Sequence, residues 1–145
     1  MNAAVPEIDN HSPIIEVRGI RQAQKCMSIR YCEHNLISST ADLRMRFREL
    51  EFNSLSIGYL EYDANVTVEI SDTENFFFVG LPIKGEVKVD HCDVKLVASS
   101  SQGMVLSPSK PIELGYTEES RGRIVKISRT AVEQLLATML GRPIT

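Results

Sequence analysis

A mainly β fold with flanking helices, one antiparallel barrel or rolled sandwich, follows from three observations. Hydrophobic residues recur with period two from Leu43 onward, the mark of strands with one covered face. Turn-forming clusters at Ser99–Gly103, Pro108–Pro111 and Glu118–Gly122 cut this region into short pieces. Helical periodicity is confined to the two ends of the folded region. About seven or eight short strands at such spacing predict a sandwich or a small barrel. Its limits fall near residues 46 and 128.

The elements read as follows. Residues 1–18 hold two prolines and little periodicity, and are expected to form a flexible arm. Residues 19–145 form the folded domain. Between Gly19 and Cys32, Ile20, Ala23, Met27 and Tyr31 fall on one helical stripe. Asn35–Asp42 is polar and reads as a loop. Leu55, Ile57, Tyr59 and Glu61 then alternate with Ser56, Gly58, Leu60 and Tyr62. Val66, Val68 and Ile70 make the next strand. Phe76–Ile83 is nearly continuous and apolar, fit for burial on both faces. Val87 and Val89, then Val94, Leu96 and Ala98, form a hairpin around Asp90–Asp93. Met104–Ser107, Ile112–Tyr116 and Arg123–Ser128 are three further strands.

The chain ends in a helix. Val132, Leu135, Leu136, Met139 and Leu140 form one apolar stripe. Thr130 with Glu133 fits a capping box, and Ser128 is the rival cap. Gly141 and Pro143 end it. The stripe must be covered by the barrel or by a partner subunit.

Composition narrows the function. The 145 residues carry a net charge of −3, without the basic stripe that neutralises phosphates on DNA. No apolar run is long enough to span a membrane. The polar, acidic N-terminus lacks the pattern of a secretory signal, so a cytoplasmic location is expected. Cys26, Cys32 and Cys92 are odd in number and form no Cys-x-x-Cys pair, which favours thiols over a disulfide or zinc site. His11, His34 and His91 are scattered. There is no Gly-x-Ser-x-Gly, no Cys/His arrangement with an orienting third group, and no Gly-rich phosphate loop.

Four segments carry a family resemblance. Leu55-Ser-Ile-Gly-Tyr-Leu-Glu-Tyr62, Gly80-Leu-Pro-Ile-Lys-Gly85 and Gly103-Met-Val-Leu-Ser-Pro-Ser-Lys-Pro111 are each generic alone. Arg123-Ile-Val-Lys-Ile-Ser-Arg129, running into Ala131–Leu136 and Leu140–Pro143, is more specific. In this order they resemble the sensing domains of AraC/XylS-type transcriptional regulators, from about Ile20 to the end. The resemblance implies a cupin-like antiparallel β-barrel of jelly-roll type followed by a C-terminal helix. It implies helices that dimerise, here through Val132, Leu136, Met139 and Leu140. It implies that DNA is read by a C-terminal domain not present in this chain.

Many cupins bind metal through a His-x-His pair, a Glu and a later His. With Gly85 as the bend glycine, the Glu position falls near Phe78. Asp72, Thr73 and Glu74 stand in the region of the pair, and Pro111–Glu113 stand where the later His would lie. His91 sits in the expected hairpin turn, away from the interior. No metal, no cofactor and no catalysis are therefore expected. A small-molecule effector is expected instead, and the resemblance points to small or aromatic carboxylates.

Candidate wall residues are Tyr59, Tyr62, Phe76, Phe78 and Tyr116, each of which could equally be plain core. Arg44, Arg46 and Arg48 share one face of an extended segment. Arg46 or Arg48 could clamp a carboxylate, or the row could protect a solvated edge strand. Lys126 interrupts an apolar alternation and could be an anchor or an outward charge. The expected ligand contacts are thus Arg46, Arg48, Tyr59, Phe78, Tyr116 and Lys126. The alternatives are a small cupin enzyme and a homodimerising module without ligand.

Overall fold

The computed structural model describes residues 13–53, 55–71, 73, 75–107 and 110–142. Of the segment matched to a cupin His pair, Asp72 and Glu74 lie outside the described residues, as do residues 1–12 of the expected arm.

Eleven strands and two helices are described: β1 (Ile15–Arg18), α1 (Ile20–Arg30), β2 (Asn35–Ser38), β3 (Arg44–Phe52), β4 (Leu55–Tyr62), β5 (Val66–Ile70), β6 (Phe76–Lys84), β7 (Val87–His91), β8 (Val94–Ala98), β9 (Met104–Leu106), β10 (Ile112–Tyr116), β11 (Arg121–Ser128) and α2 (Arg129–Leu140). One sheet runs β1-β3-β4-β11-β6-β9, the other β2-β5-β10-β7-β8, with every pairing antiparallel. From β4 onward the chain crosses repeatedly between the sheets, which is jelly-roll connectivity. The two sheets are not hydrogen-bonded into one closed barrel.

Two short elements depart from the sequence reading. Residues 15–18, assigned above to the arm, pair with β3, and Asn35–Ser38, assigned to a loop, pairs with β5. Both are edge strands of four residues, too short to show a period. The run Phe76–Ile83 is also not buried on both faces. Phe78 and Gly80 face the core, while Leu81 and Ile83 are exposed on the other side.

The inner faces meet in one apolar core. Leu43 just before β3, Met45 and Phe47 on β3, and Leu60 and Tyr62 on β4 are buried in one sheet, as are Val66 and Val68 on β5, Val87 and Val89 on β7 and Leu114 on β10 in the other. Gly85 makes the bend between β6 and β7 at φ 77°, and a Cβ there would lie 2.8 Å from both Thr117 Oγ1 and Ser120 Oγ. Both the left-handed backbone and the crowding require glycine. Cys92 and Asp93, at φ 53° and 62°, form the two-residue turn of the β7–β8 hairpin.

Helix α1 lies against β1 and β2 and buries Ala23 and Met27. Gln24 Oε1 accepts from Leu36 N at 2.9 Å, tying the helix to β2. Helix α2 begins at Ser128, whose hydroxyl accepts from Ala131 N, so Ser128 rather than Thr130 is the cap. It ends at Gly141, φ 68°. None of its side chains is buried, and Leu135, Leu136, Met139 and Leu140 are exposed. The helix packs beside β11 and β6. The outer face there carries an apolar row in register across five strands: Leu50, Ile57, Val125, Val79 and Val105.

Candidate functional site

The register of the six-stranded sheet decides what points inward. On β4 the inner set is Ser56, Gly58, Leu60 and Tyr62; on β11 it includes Ile124 and Lys126; on β6 it includes Phe76, Phe78 and Gly80. Lys126 sits directly between Ser56 and Phe78 on the neighbouring strands. An apolar interior thus receives one ammonium group at its α1 end.

The chain's first helix delivers a second group to the same place. Tyr31, at the C-terminal cap of α1, inserts its ring between Phe47, at 5.9 Å edge-on, and Phe78, at 5.4 Å. Lys126 Nζ lies 5.2 Å from the Tyr31 ring centroid and 5.6 Å from that of Phe76, and donates to the Arg30 carbonyl at 2.9 Å. Glu49, with only 5% of its side chain exposed, pairs with Arg30 at 3.5 Å. The Arg30 guanidinium in turn stacks 5.4 Å from the Phe47 ring centroid. Burial, reinforced by the Glu49 carboxylate, raises the Tyr31 phenol far above its ordinary range, so it stays neutral. Ser56 Oγ is buried and has no hydrogen-bond partner among the described residues.

Below this cluster lies a cavity of about 60 Å³, lined by Met27, Tyr31, Leu60, Tyr62, Phe78, Met104, Leu114 and Tyr116 among others. Tyr62 and Tyr116 meet at 5.4 Å; burial pushes Tyr116 up to about 12 and raises Tyr62 as well. Outside it, an open polar concavity of about 770 Å³ runs between α1, β2 and the start of β6. Tyr31, Cys32 and His34 line both spaces. His34 Nδ1 donates to the Cys32 carbonyl at 3.0 Å, and burial lowers its pKa against that hydrogen bond.

Of the six expected ligand contacts, Phe78, Tyr116 and Lys126 turn inward together. Arg46, Arg48 and Tyr59 do not. Arg46 pairs with Glu61 at 3.5 Å on the outer face, and Arg48 stands opposite Tyr59 on that face. These three are corrected to outer-face residues. In β3 the buried set is Met45 and Phe47, which sends the alternating arginines outward. His91 is also corrected: it closes β7 and is buried, not in the turn. Its Nδ1 donates to Pro111 O at 3.0 Å and its Nε2 accepts from Ser107 N at 3.1 Å, so both ring nitrogens serve the backbone. Among the described residues no three His, Cys, Asp or Glu side chains cluster as metal ligands would.

Tyr31, Glu49 and Ser56 were missed. The signal for Glu49 was available, as a carboxylate on the same face of β3 as Met45 and Phe47. Tyr31 ends the α1 stripe, but nothing local shows that its ring crosses to the opposite sheet.

Comparison with known proteins gives the same architecture. The chain is similar to the AraC-like transcriptional activator CuxR, with TM-score 0.64 and 12% identity over 89% of this chain and 51% of that one. It is similar to the Schizosaccharomyces pombe Cnp3 cupin domain, with TM-score 0.52 and 11% identity over 69% and 73%. It is similar to KdgF from Halomonas sp., with TM-score 0.51 and 14% identity over 59% and 78%. At these identities the likeness is one of fold, the cupin jelly roll. The chain spans about half the length of CuxR. No curated protein sequence matches it. A family model, that of the AraC-binding-like domain, matches residues 23–145, from the buried turn of α1 to the end. The chain belongs to the AraC-binding-like domain family.

Proposed function

We propose that this domain is the effector-sensing and dimerisation part of a bacterial transcriptional regulator, and that its effector is a small carboxylate held between the two sheets. The observation that carries this reading is Lys126. An ammonium turned into an apolar interior, beside the Phe76 and Tyr31 rings, is costly unless it meets an acceptor. A ligand carboxylate supplies a stronger one than the Arg30 carbonyl. Family membership supports regulation over catalysis. A cytoplasmic location goes with this role.

Thermal shift of the domain against a panel of aliphatic and aromatic acids tests the proposal. A true effector at a hundred times its Kd stabilises by about 2.7 kcal/mol. Lys126→Met should abolish that shift while leaving a folded protein. An effector bound equally well by Lys126→Met would refute the anchor. A stoichiometric metal with turnover would favour a small cupin enzyme, and no shift with any acid would favour a dimerisation module without ligand.

Self-association is assigned to α2. Leu136, Met139 and Leu140 are exposed, Met139 at 73%, beside the apolar row on the outer sheet face, and Val132 flanks them half-buried. Leu136→Glu should lower the sedimentation mass of a dimer without lowering the melting temperature of the monomer. An unchanged mass would refute this role for the helix.

A further inference from the structure

Tyr31 occupies a pocket built for a phenol. Its ring is held by Phe47 and Phe78, and its hydroxyl lies over Gly58 and faces Glu49. A Cβ at position 58 would stand 2.6 Å from Tyr31 Oη, so the recess exists because that residue is glycine. The remaining interior void, about 60 Å³, is far below the roughly 300 Å³ at which ligand pockets begin. The concavity of about 770 Å³ lies just outside, and Tyr31, Cys32 and His34 form the wall between the two. A hydrogen bond ties the sheet to this wall: Lys126 Nζ donates to the Arg30 carbonyl, the peptide group that carries Tyr31.

The geometry points to Tyr31 as a built-in occupant of the effector site, and to the effector as a 4-hydroxyaryl carboxylate that takes its place. This rests on the effector reading above and specifies the ligand. The ligand ring replaces the Tyr31 ring between Phe47 and Phe78. Its hydroxyl enters the Gly58 recess and donates to Glu49. Its carboxylate takes the Lys126 ammonium from the Arg30 carbonyl, which releases the segment from Tyr31 to His34 toward the outer concavity. The Arg30–Glu49 pair offsets the buried carboxylate, so the incoming anion does not face a bare negative charge. Because Tyr31 competes for the same space, the apparent affinity is lowered by the fraction of molecules in which it is withdrawn.

The experiment measures binding of 4-hydroxyphenylacetate, phenylacetate and 4-methylphenol by calorimetry to the wild type, Tyr31→Ala and Gly58→Ala. It also follows Cys32 labelling by a thiol reagent in a Cys26→Ser, Cys92→Ser background. The wild type should bind 4-hydroxyphenylacetate at least tenfold more tightly than the two probes lacking one group. Tyr31→Ala should tighten it a further tenfold or more, and Gly58→Ala should weaken it. Bound ligand should speed Cys32 labelling severalfold. If Tyr31→Ala melts below the assay temperature, Tyr31→Leu makes the same comparison. Binding to Tyr31→Ala but not to the wild type would mean a hole made by truncation, and overturns the proposal. Binding of another acid from the panel, unaffected by Tyr31→Ala and without change at Cys32, overturns it while leaving the effector reading intact. No binding of any acid to either protein defeats both.

Discussion

Replacing Gly58 by alanine probes the fit between Tyr31 and β4 with a single methyl group. The new Cβ would lie 2.6 Å from Tyr31 Oη and 3.1 Å from Phe47 Cε1. The first separation is closer than real Cβ contacts, so the phenol must retreat; the second needs a shift of only tenths of an ångström. Overpacking of this kind costs about 1–3 kcal/mol. Alanine in a strand regains roughly 0.5–1 kcal/mol over glycine. The net loss is therefore about 0–2.5 kcal/mol, or up to roughly 8 °C in Tm for a domain of this size. Removing the hydroxyl with Tyr31→Phe removes the closer contact. In that background Gly58→Ala should be nearly neutral, giving a coupling of about 1 kcal/mol in the double-mutant cycle. Urea denaturation of the four proteins measures it. Additivity within about 0.5 kcal/mol would show that Tyr31 does not reach Gly58, and the account of the plugged interior would fall.

Three other outcomes are expected. His91→Phe leaves the Pro111 carbonyl and the Ser107 amide without their ring partners, and should cost about 2–4 kcal/mol in urea denaturation; a loss below about 0.5 kcal/mol would contradict the hydrogen bonds assigned to it. His34 has its pKa lowered by burial, so the unfolded chain takes up the proton first, near pH 6.5. Its contribution is complete above that pH and is lost as pH falls through the folded value, so the wild type should lose more stability between pH 7 and 5 than His34→Asn. Equal losses would refute the shift. Cys92→Asn with Asp93→Gly supplies the residues that a turn with two left-handed positions prefers, and should raise stability by up to about 1 kcal/mol in a thermal melt; a lowered Tm would mean that the Cys92 contact with His91 matters more than the turn.

The jelly roll was legible in the sequence because most of its longer strands write their burial into a period of two, and the turns are marked by Gly, Pro, Asp and Ser. The end helix was equally legible from Val132 to Leu140, down to Gly141 at its close. β1 and β2 were not, since four residues at a sheet edge carry no period and their pairing is supplied by β3 and β5. Alternation also left open which of its two sets faces inward. Ser56, Gly58, Leu60 and Tyr62 read as well as Leu55, Ile57, Tyr59 and Glu61 until the opposite sheet and α2 were in place, and this is why Tyr59 and the arginines of β3 were assigned to the wrong side. Lys126, Glu49 and Tyr31 lie far apart along the chain, and their meeting depends on strand register and on where α1 ends. The sequence by itself determined the longer strands, the helices and the lack of a His-x-His pair, because those follow from neighbours along the chain. The inner face, the buried charges and the phenol over Gly58 were decided only by tertiary structure, because burial is a property of what packs across the sheet.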